Sequence, residues 1–108
     1  MAKILVLGLE FAMADELSRI LRQLGHSVSV APRSEAAVDA SEFDLIFAGS
    51  DDFREALTRY PRRPVIVTSR LPEMKSWINA LEAGAADYCG APFETTQVRW
   101  VLNTALAA

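Results

Sequence analysis

Three short apolar runs constrain this chain more than any other feature: Ile4-Leu5-Val6-Leu7, Leu45-Ile46-Phe47-Ala48 and Val65-Ile66-Val67. Each has the length of a strand, and neither alternate set of side chains is polar, so each reads as a strand buried on both faces. Such strands need helices above and below them, and the segments between them supply these. From Met13 onward, Met13, Leu17, Ile20, Leu21 and Leu24 recur at helical spacing, with Asp15, Glu16, Arg19 and Arg22 on the other side. Gly25 ends that helix.

The remaining segments follow the same alternation. Gly8-Leu9-Glu10 is a turn after the first strand. His26-Ser27-Val28-Ser29-Val30 alternates polar and apolar residues, the pattern of an edge strand with one solvated face, and Pro32 closes it. Ser34 is a suitable N-cap for a short helix to about residue 40. Gly49-Ser50-Asp51-Asp52 ends the third strand, and Asp51 or Asp52 can cap a helix whose inward residues are Phe53, Ala56 and Leu57. Pro61 and Pro64 bracket Arg62-Arg63 before the fourth strand, which stops at Thr68-Ser69-Arg70. Pro72 suits the first turn of a helix with a predicted buried stripe of Met74, Trp77, Ile78 and Leu81. Ala80-Leu81-Glu82-Ala83 runs into Gly84, a strand begins at Ala86 and includes Tyr88 and Cys89, and Gly90-Ala91-Pro92 forms a turn where a cis X-Pro bond is expected. Residues 94 to about 106 form the last helix, with Val98, Val101, Leu102 and Ala105 on one face.

Strict alternation of strand and helix predicts a doubly wound α/β fold with helices on both faces of a parallel sheet. The runs at 4, 45 and 65 must be central, and the strands at 28–30 and 86–89 must be edges. The order 2-1-3-4-5 satisfies both conditions, and its reversal between the first and third strands opens a crevice at their carboxyl ends. Gly8 to Glu10, Gly49 to Asp52, Ser69-Arg70 and Gly90-Ala91 all point there.

A chain of 108 residues is long enough for one core and is expected to be a single domain, 1–108. A net charge of −3 offers no basic face for nucleic acid. No apolar run approaches the roughly 20 residues of a membrane-spanning helix, and a cytoplasmic protein is expected. One cysteine and one histidine, Cys89 and His26, are too few for a disulfide or a structural zinc site, so Cys89 is read as a small core residue. No G-x-G-x-x-G or Walker pattern follows the first strand, and no cofactor is predicted.

Ala80 to Phe93 resembles the last helix-strand-turn unit of the receiver domain of two-component response regulators, and the resemblance extends over the whole chain. It implies a flavodoxin-like sheet with five helices, the third of them shortened because the segment from Gly49 to Pro64 is short. In that family an acidic pair after the first strand holds magnesium, and a carboxylate at the end of the third strand accepts the phosphoryl group. A lysine before the final proline and a hydroxyl after the fourth strand complete the site. Position by position, the acidic pair falls on Gly8 and Leu9, the nucleophile on Gly49, the lysine on Ala91 and the hydroxyl on Ser69. Only Ser69 keeps its chemistry, together with Tyr88 at the position of the family's responsive aromatic. Glycine, leucine and alanine supply neither a metal ligand nor a nucleophile, so the resemblance implies a degenerate pseudo-receiver of bacterial signalling and not an enzyme.

Three functions follow. The first is a phosphorylation-independent interaction module, with a protein partner or a second copy held on the face of the fourth helix, fifth strand and fifth helix. That face carries Trp77, Tyr88 and Trp100, and Trp100 lies off its helix's apolar stripe and should be partly exposed. Its ring either serves such an interface or packs along the fourth helix of a monomer. The second is a small-ligand sensor in the crevice left between the first and third strands. The third is a phosphoacceptor with relocated chemistry, although Ser50 has no evident activating base. Glu10, Asp51 and Asp52 form an alternative hard-cation set, weighed against helix capping and an ion pair with Arg70. Arg59, Arg62 and Arg63 gather at the amino-terminal end of the sheet as a solvated edge or a site for an acidic partner.

Overall fold

The computed structural model describes residues 2–31, 42–70 and 74–107, with side chains of the last segment from residue 77. The elements are β1 (Lys3–Leu7), α1 (Phe11–Gln23), β2 (Ser27–Ala31), β3 (Leu45–Gly49), α2 (Phe53–Arg59), β4 (Val65–Ser69), α3 (Met74–Glu82), β5 (Asp87–Gly90) and α4 (Thr95–Leu106). The expected helix over residues 34–40, the prolines at 32 and 72, and the side chain of Met74 lie outside the described residues. The helices expected as third, fourth and fifth are therefore α2, α3 and α4, and α2 is short, with 7 residues.

All five strands pair in parallel in the order β2-β1-β3-β4-β5, as the apolar runs require. The pleat divides each central strand between two cores. Ile4, Val6, Leu45, Phe47 and Ile66 face one side, where Met13, Leu17 and Leu21 of α1 and Val98, Val101 and Leu102 of α4 cover them. Leu5, Leu7, Ile46, Ala48, Val65 and Val67 face the other, against Phe53 and Ala56 of α2 and Ala80 of α3. Among the described residues no helix is long and apolar enough to cross a membrane.

Helix ends follow the sequence. At the end of α3 the Gly84 N–H donates to the Leu81 carbonyl (3.1 Å) and the Ala85 N–H to the Ala80 carbonyl (3.0 Å). This Schellman pairing needs the left-handed backbone that Gly84 supplies at φ 112°. The Ala91-Pro92 bond is cis, as expected.

The predicted stripe of α3 is wrong in orientation. Trp77, Ile78 and Leu81 are 43%, 47% and 41% exposed, and the helix lies on the sheet through Ala80, which is 1% exposed. Two faces of α3 carry apolar residues, and the small one packs closer, because an alanine lets the helix backbone approach the Tyr88 and Leu57 side of the core. Helix α1 starts two residues before the predicted first apolar position, and this leaves Phe11 at its amino end 86% exposed.

Cys89 is fully buried. Burial, with the nearby Asp87 charge adding to it, pushes the thiol up to about 12. Two results are expected. The native protein should resist a thiol-specific reagent that reacts at once with the unfolded chain. Stability should also fall in alkali: the unfolded thiol ionises near 9.0 whereas the folded one stays neutral to about 12, so the contribution is complete below 9.0 and is lost as pH rises through that window. Equal labelling of native and unfolded protein would contradict this burial.

Candidate functional site

The carboxyl ends of β1 and β3 converge as the strand order demands, with Leu7 opposite Ala48. Their next residues are Gly8 and Gly49, where the resemblance implies an acid and a nucleophile. The Gly8 backbone is left-handed, at φ 70°, and its N–H donates to the Ala31 carbonyl at 3.0 Å. This turn folds the Gly8 carbonyl back over Gly49. A Cβ at Gly49 would stand 2.5 Å from the Gly8 carbonyl oxygen and 3.2 Å from its carbon. Glycine at 49 is thus required by the approach of another backbone, which cannot yield as a side chain would.

Asp52 fills the neighbouring space. Its carboxylate lies where a Cβ on Gly8 would be, so a side chain there would collide with it. Asp52 occupies the N-cap position of α2, but its side chain makes no capping hydrogen bond. The expected cap is therefore present in position only, because the carboxylate is directed across to β1. Leu9, the other position of the acidic pair, packs against the apolar core. Between Gly8 and Gly49 the backbone carbonyl and the Asp52 carboxylate thus lie too close for a side chain at either position.

The rim is equally committed. Arg70 pairs with Glu10, one of the three ion pairs considered for it. Among the described residues no group of three His, Cys, Asp or Glu side chains lies close enough to hold a metal ion. Glu10, Asp51 and Asp52 therefore do not form a cation site: Glu10 is drawn to Arg70 and Asp52 to Gly8. Ser50 and Asp51 are exposed. Ser69 ends β4 half-buried, and its carbonyl accepts the Ala91 N–H at 2.9 Å. Ala91, at the lysine position, is half-buried beside an open depression of about 370 Å³ that Ala12, Glu16 and Arg70 also line. Glu16 was not singled out by the sequence. Its carboxylate accepts the Phe93 N–H at 2.9 Å and so ties α1 to the cis-proline turn. A polar residue on the outer side of an amphipathic helix gives no sign of such a tether.

On the far side of β5, Tyr88 is buried at 9% exposure, and its hydroxyl has no hydrogen-bond partner among the described residues. It borders a cavity of about 210 Å³ shared with Trp77, Gly90, Ala91 and Gln97. Trp100 is 63% exposed and, three residues from Gln97, lies on the same side of α4. Of the three residues expected at an interface, Trp77 and Trp100 are thus on the surface, and Tyr88 is buried beside Trp77.

At the amino-terminal end, the His26 Nδ1 accepts the Ala2 N–H at 3.0 Å, and burial followed by the positive amino terminus lowers the imidazole pKa. Arg59 pairs with Glu55 at 3.4 Å, and the Arg63 Nε donates to the Phe43 carbonyl at 2.6 Å. Arg63 thus ties the connection before β4 to the segment before β3, whereas the Arg59 pair lies within α2.

No family model and no curated protein matches the chain. Solved structures do. NtrX from Brucella abortus superposes with a TM-score of 0.85 at 24% identity, over 98% of this chain and 27% of that one. The chain thus spans about a quarter of that protein. A response regulator from Thermotoga maritima gives 0.84 at 19% identity, over 100% of this chain and 99% of the other. A CheY-like response regulator receiver domain protein from Methanospirillum hungatei gives 0.76 at 18% identity, over 99% and 94%. At these identities the likeness is one of architecture, and with the strand order it shows that the chain has the flavodoxin-like fold of response regulator receiver domains.

Proposed function

We propose that this chain is a phosphorylation-independent module of bacterial signalling, a pseudo-receiver that works by binding a protein partner through the face of α3, β5 and α4. In this reading it is cytoplasmic, catalyses nothing and needs no cofactor. It acts alone or as the regulatory part of a longer regulator. The observation that carries the reading is the crowding at Gly8 and Gly49. The Gly8 carbonyl and the Asp52 carboxylate stand where side chains at 49 and 8 would have to be. The departure from receiver chemistry is thus built into the backbone as well as the side chains.

The choice of face rests on exposed apolar surface. Trp77, Ile78 and Leu81 on α3 and Trp100 on α4 are exposed, and Trp77 lines the cavity beside Tyr88. Large exposed aromatics around a pocket are the usual composition of a binding hot spot.

Trp77→Ala and Trp100→Ala test the assignment, because neither residue supports the core. Each should change stability by less than about 1 kcal/mol. Quantitative recovery of the partner from cells expressing the protein should fall at least about tenfold in the double variant, the scale of losing one hot-spot residue. Undiminished recovery would remove this face from the account.

A further inference from the structure

The amino-terminal end of the sheet, opposite Gly8 and Gly49, holds a second concavity. Taken across the sheet, His26 precedes β2, Ala2 precedes β1, Asp44 precedes β3 and Pro64 precedes β4. These residues of four neighbouring strands line one open cavity of about 470 Å³, together with Arg62, Arg63 and Leu106. Small-molecule sites have volumes of about 300–1,000 Å³. The floor is pinned by the sheet. The Ser27 N–H donates to the Ala2 carbonyl at 3.0 Å, the Ile46 N–H to the Pro64 carbonyl at 3.0 Å and the Asp44 N–H to the Lys3 carbonyl at 2.7 Å. A ligand entering here would have little backbone to order, so that part of the cost of binding is small.

The polar groups on the walls have capacity left over. The His26 Nδ1 accepts the Ala2 N–H, so the proton of the neutral ring sits on Nε2 and makes that atom a donor. Burial, and after it the positive amino terminus, lowers the imidazole pKa and favours that neutral form. Arg63 spends its Nε on the Phe43 carbonyl, and its terminal nitrogens have no partner among the described residues. Arg62 is exposed and makes no ion pair among the described residues. The Asp44 Oδ2 accepts the Lys3 N–H at 2.9 Å, and neither arginine pairs with Asp44 although all three border the cavity. Two guanidinium charges thus stand against one carboxylate, in a chain whose net charge is −3.

We propose that this cavity binds a small organic anion, its oxyanion head held by Arg62, Arg63 and the His26 Nε2–H and its apolar body lying on Leu106 and Pro64. The terminal nitrogens of a guanidinium match carboxylate or phosphate oxygens in pairs, and such charge-assisted bonds are the strong ones. The orientation follows from the charges. Leu106 ends α4, where the helix carries partial negative charge, and Asp44 carries a full one, so both leave the head to the arginines. A small molecule is favoured over an acidic peptide because these groups line a concavity of small-molecule size. The site is separate from Trp77 and Trp100, so it and the partner-binding face can fail independently.

The test uses benzoate and phenyl phosphate as probes, with benzamide as the uncharged control, and follows His26 by proton NMR. His26 is the chain's one histidine, so its ring signal reports on this cavity. Either anion at millimolar concentration should shift that signal, raise the His26 pKa because a bound anion favours imidazolium, and raise the melting temperature. The stronger probe identifies the head as carboxylate or phosphate, and benzamide should have no effect. Arg62→Gln should bind about tenfold more weakly with the free protein's melting temperature unchanged, the scale of one lost charge-assisted hydrogen bond. Asp44→Asn, whose amide oxygen can still accept from Lys3, should bind more tightly, and Arg59→Gln on α2 should bind as wild type does. No His26 shift with either anion, an equal response to benzamide, undiminished binding by Arg62→Gln or weaker binding by Asp44→Asn would each overturn the proposal.

Discussion

Replacing Gly49 by aspartate is expected to destabilise the protein by about 2–6 kcal/mol and to give no phosphorylation. The steric part comes first. The new Cβ would press on the Gly8 carbonyl oxygen at 2.5 Å, and Gly49 is held by its pairing with Thr68 while Gly8 is held by its bond to Ala31. Relief requires shifting a backbone that also donates to Ala31, and overpacking of this kind costs about 1–3 kcal/mol. A carboxylate beside a carbonyl oxygen and the Leu9 side chain then adds about 1–3 kcal/mol for a polar group buried without a donor. For a domain of this size the sum corresponds to a fall of roughly 10–30 °C in melting temperature. Gly49→Ala isolates the steric part and should show about half the loss. If Gly49→Asp melts with wild type, the Gly8 carbonyl does not stand over β3 as described.

Gly8→Ala is expected to cost about 2–3 kcal/mol in wild type and only about 1–2 kcal/mol in an Asp52→Gly background. The shared cost is the left-handed backbone, which disfavours any Cβ by about 1–2 kcal/mol. The difference is the collision with Asp52, whose carboxylate must rotate away. It is smaller than the cost at Gly49 because a side chain yields where a carbonyl does not. Urea unfolding of the four proteins gives the coupling directly, and a value of about 1 kcal/mol lies within the range for residues in contact. An identical cost in both backgrounds would mean that Asp52 does not occupy this space.

The architecture was legible because it rests on local pattern. Three doubly apolar runs had to be central strands, Ser-Val-Ser-Val had to be an edge, and Gly84 had to close a helix. The orientation of α3 was not legible, since size-weighted periodicity favoured Trp77, Ile78 and Leu81 over Ala80. Close approach to the sheet reversed that choice and put the large residues outside. At the site, the sequence revealed which groups are missing but not what replaces them. The Gly8 carbonyl over Gly49 joins residues 41 apart in the chain, and the Asp52 carboxylate at Gly8 joins residues 44 apart. Both depend on the left-handed turn after β1, and a glycine in a turn does not announce which neighbour it admits. Asp52 read as a helix cap because its position before Phe53 is that of a cap, and only its side-chain direction is different.

Independence of phosphorylation is tested most directly by the intact mass of the wild-type protein after incubation with a small-molecule phosphodonor and magnesium. An unchanged mass is expected, because glycine stands where the nucleophile is proposed to be missing and the Gly8 carbonyl crowds it. Stable covalent phosphate on the wild-type chain, above all on Asp52 beside Gly8, would contradict it and make this a phosphoacceptor with relocated chemistry.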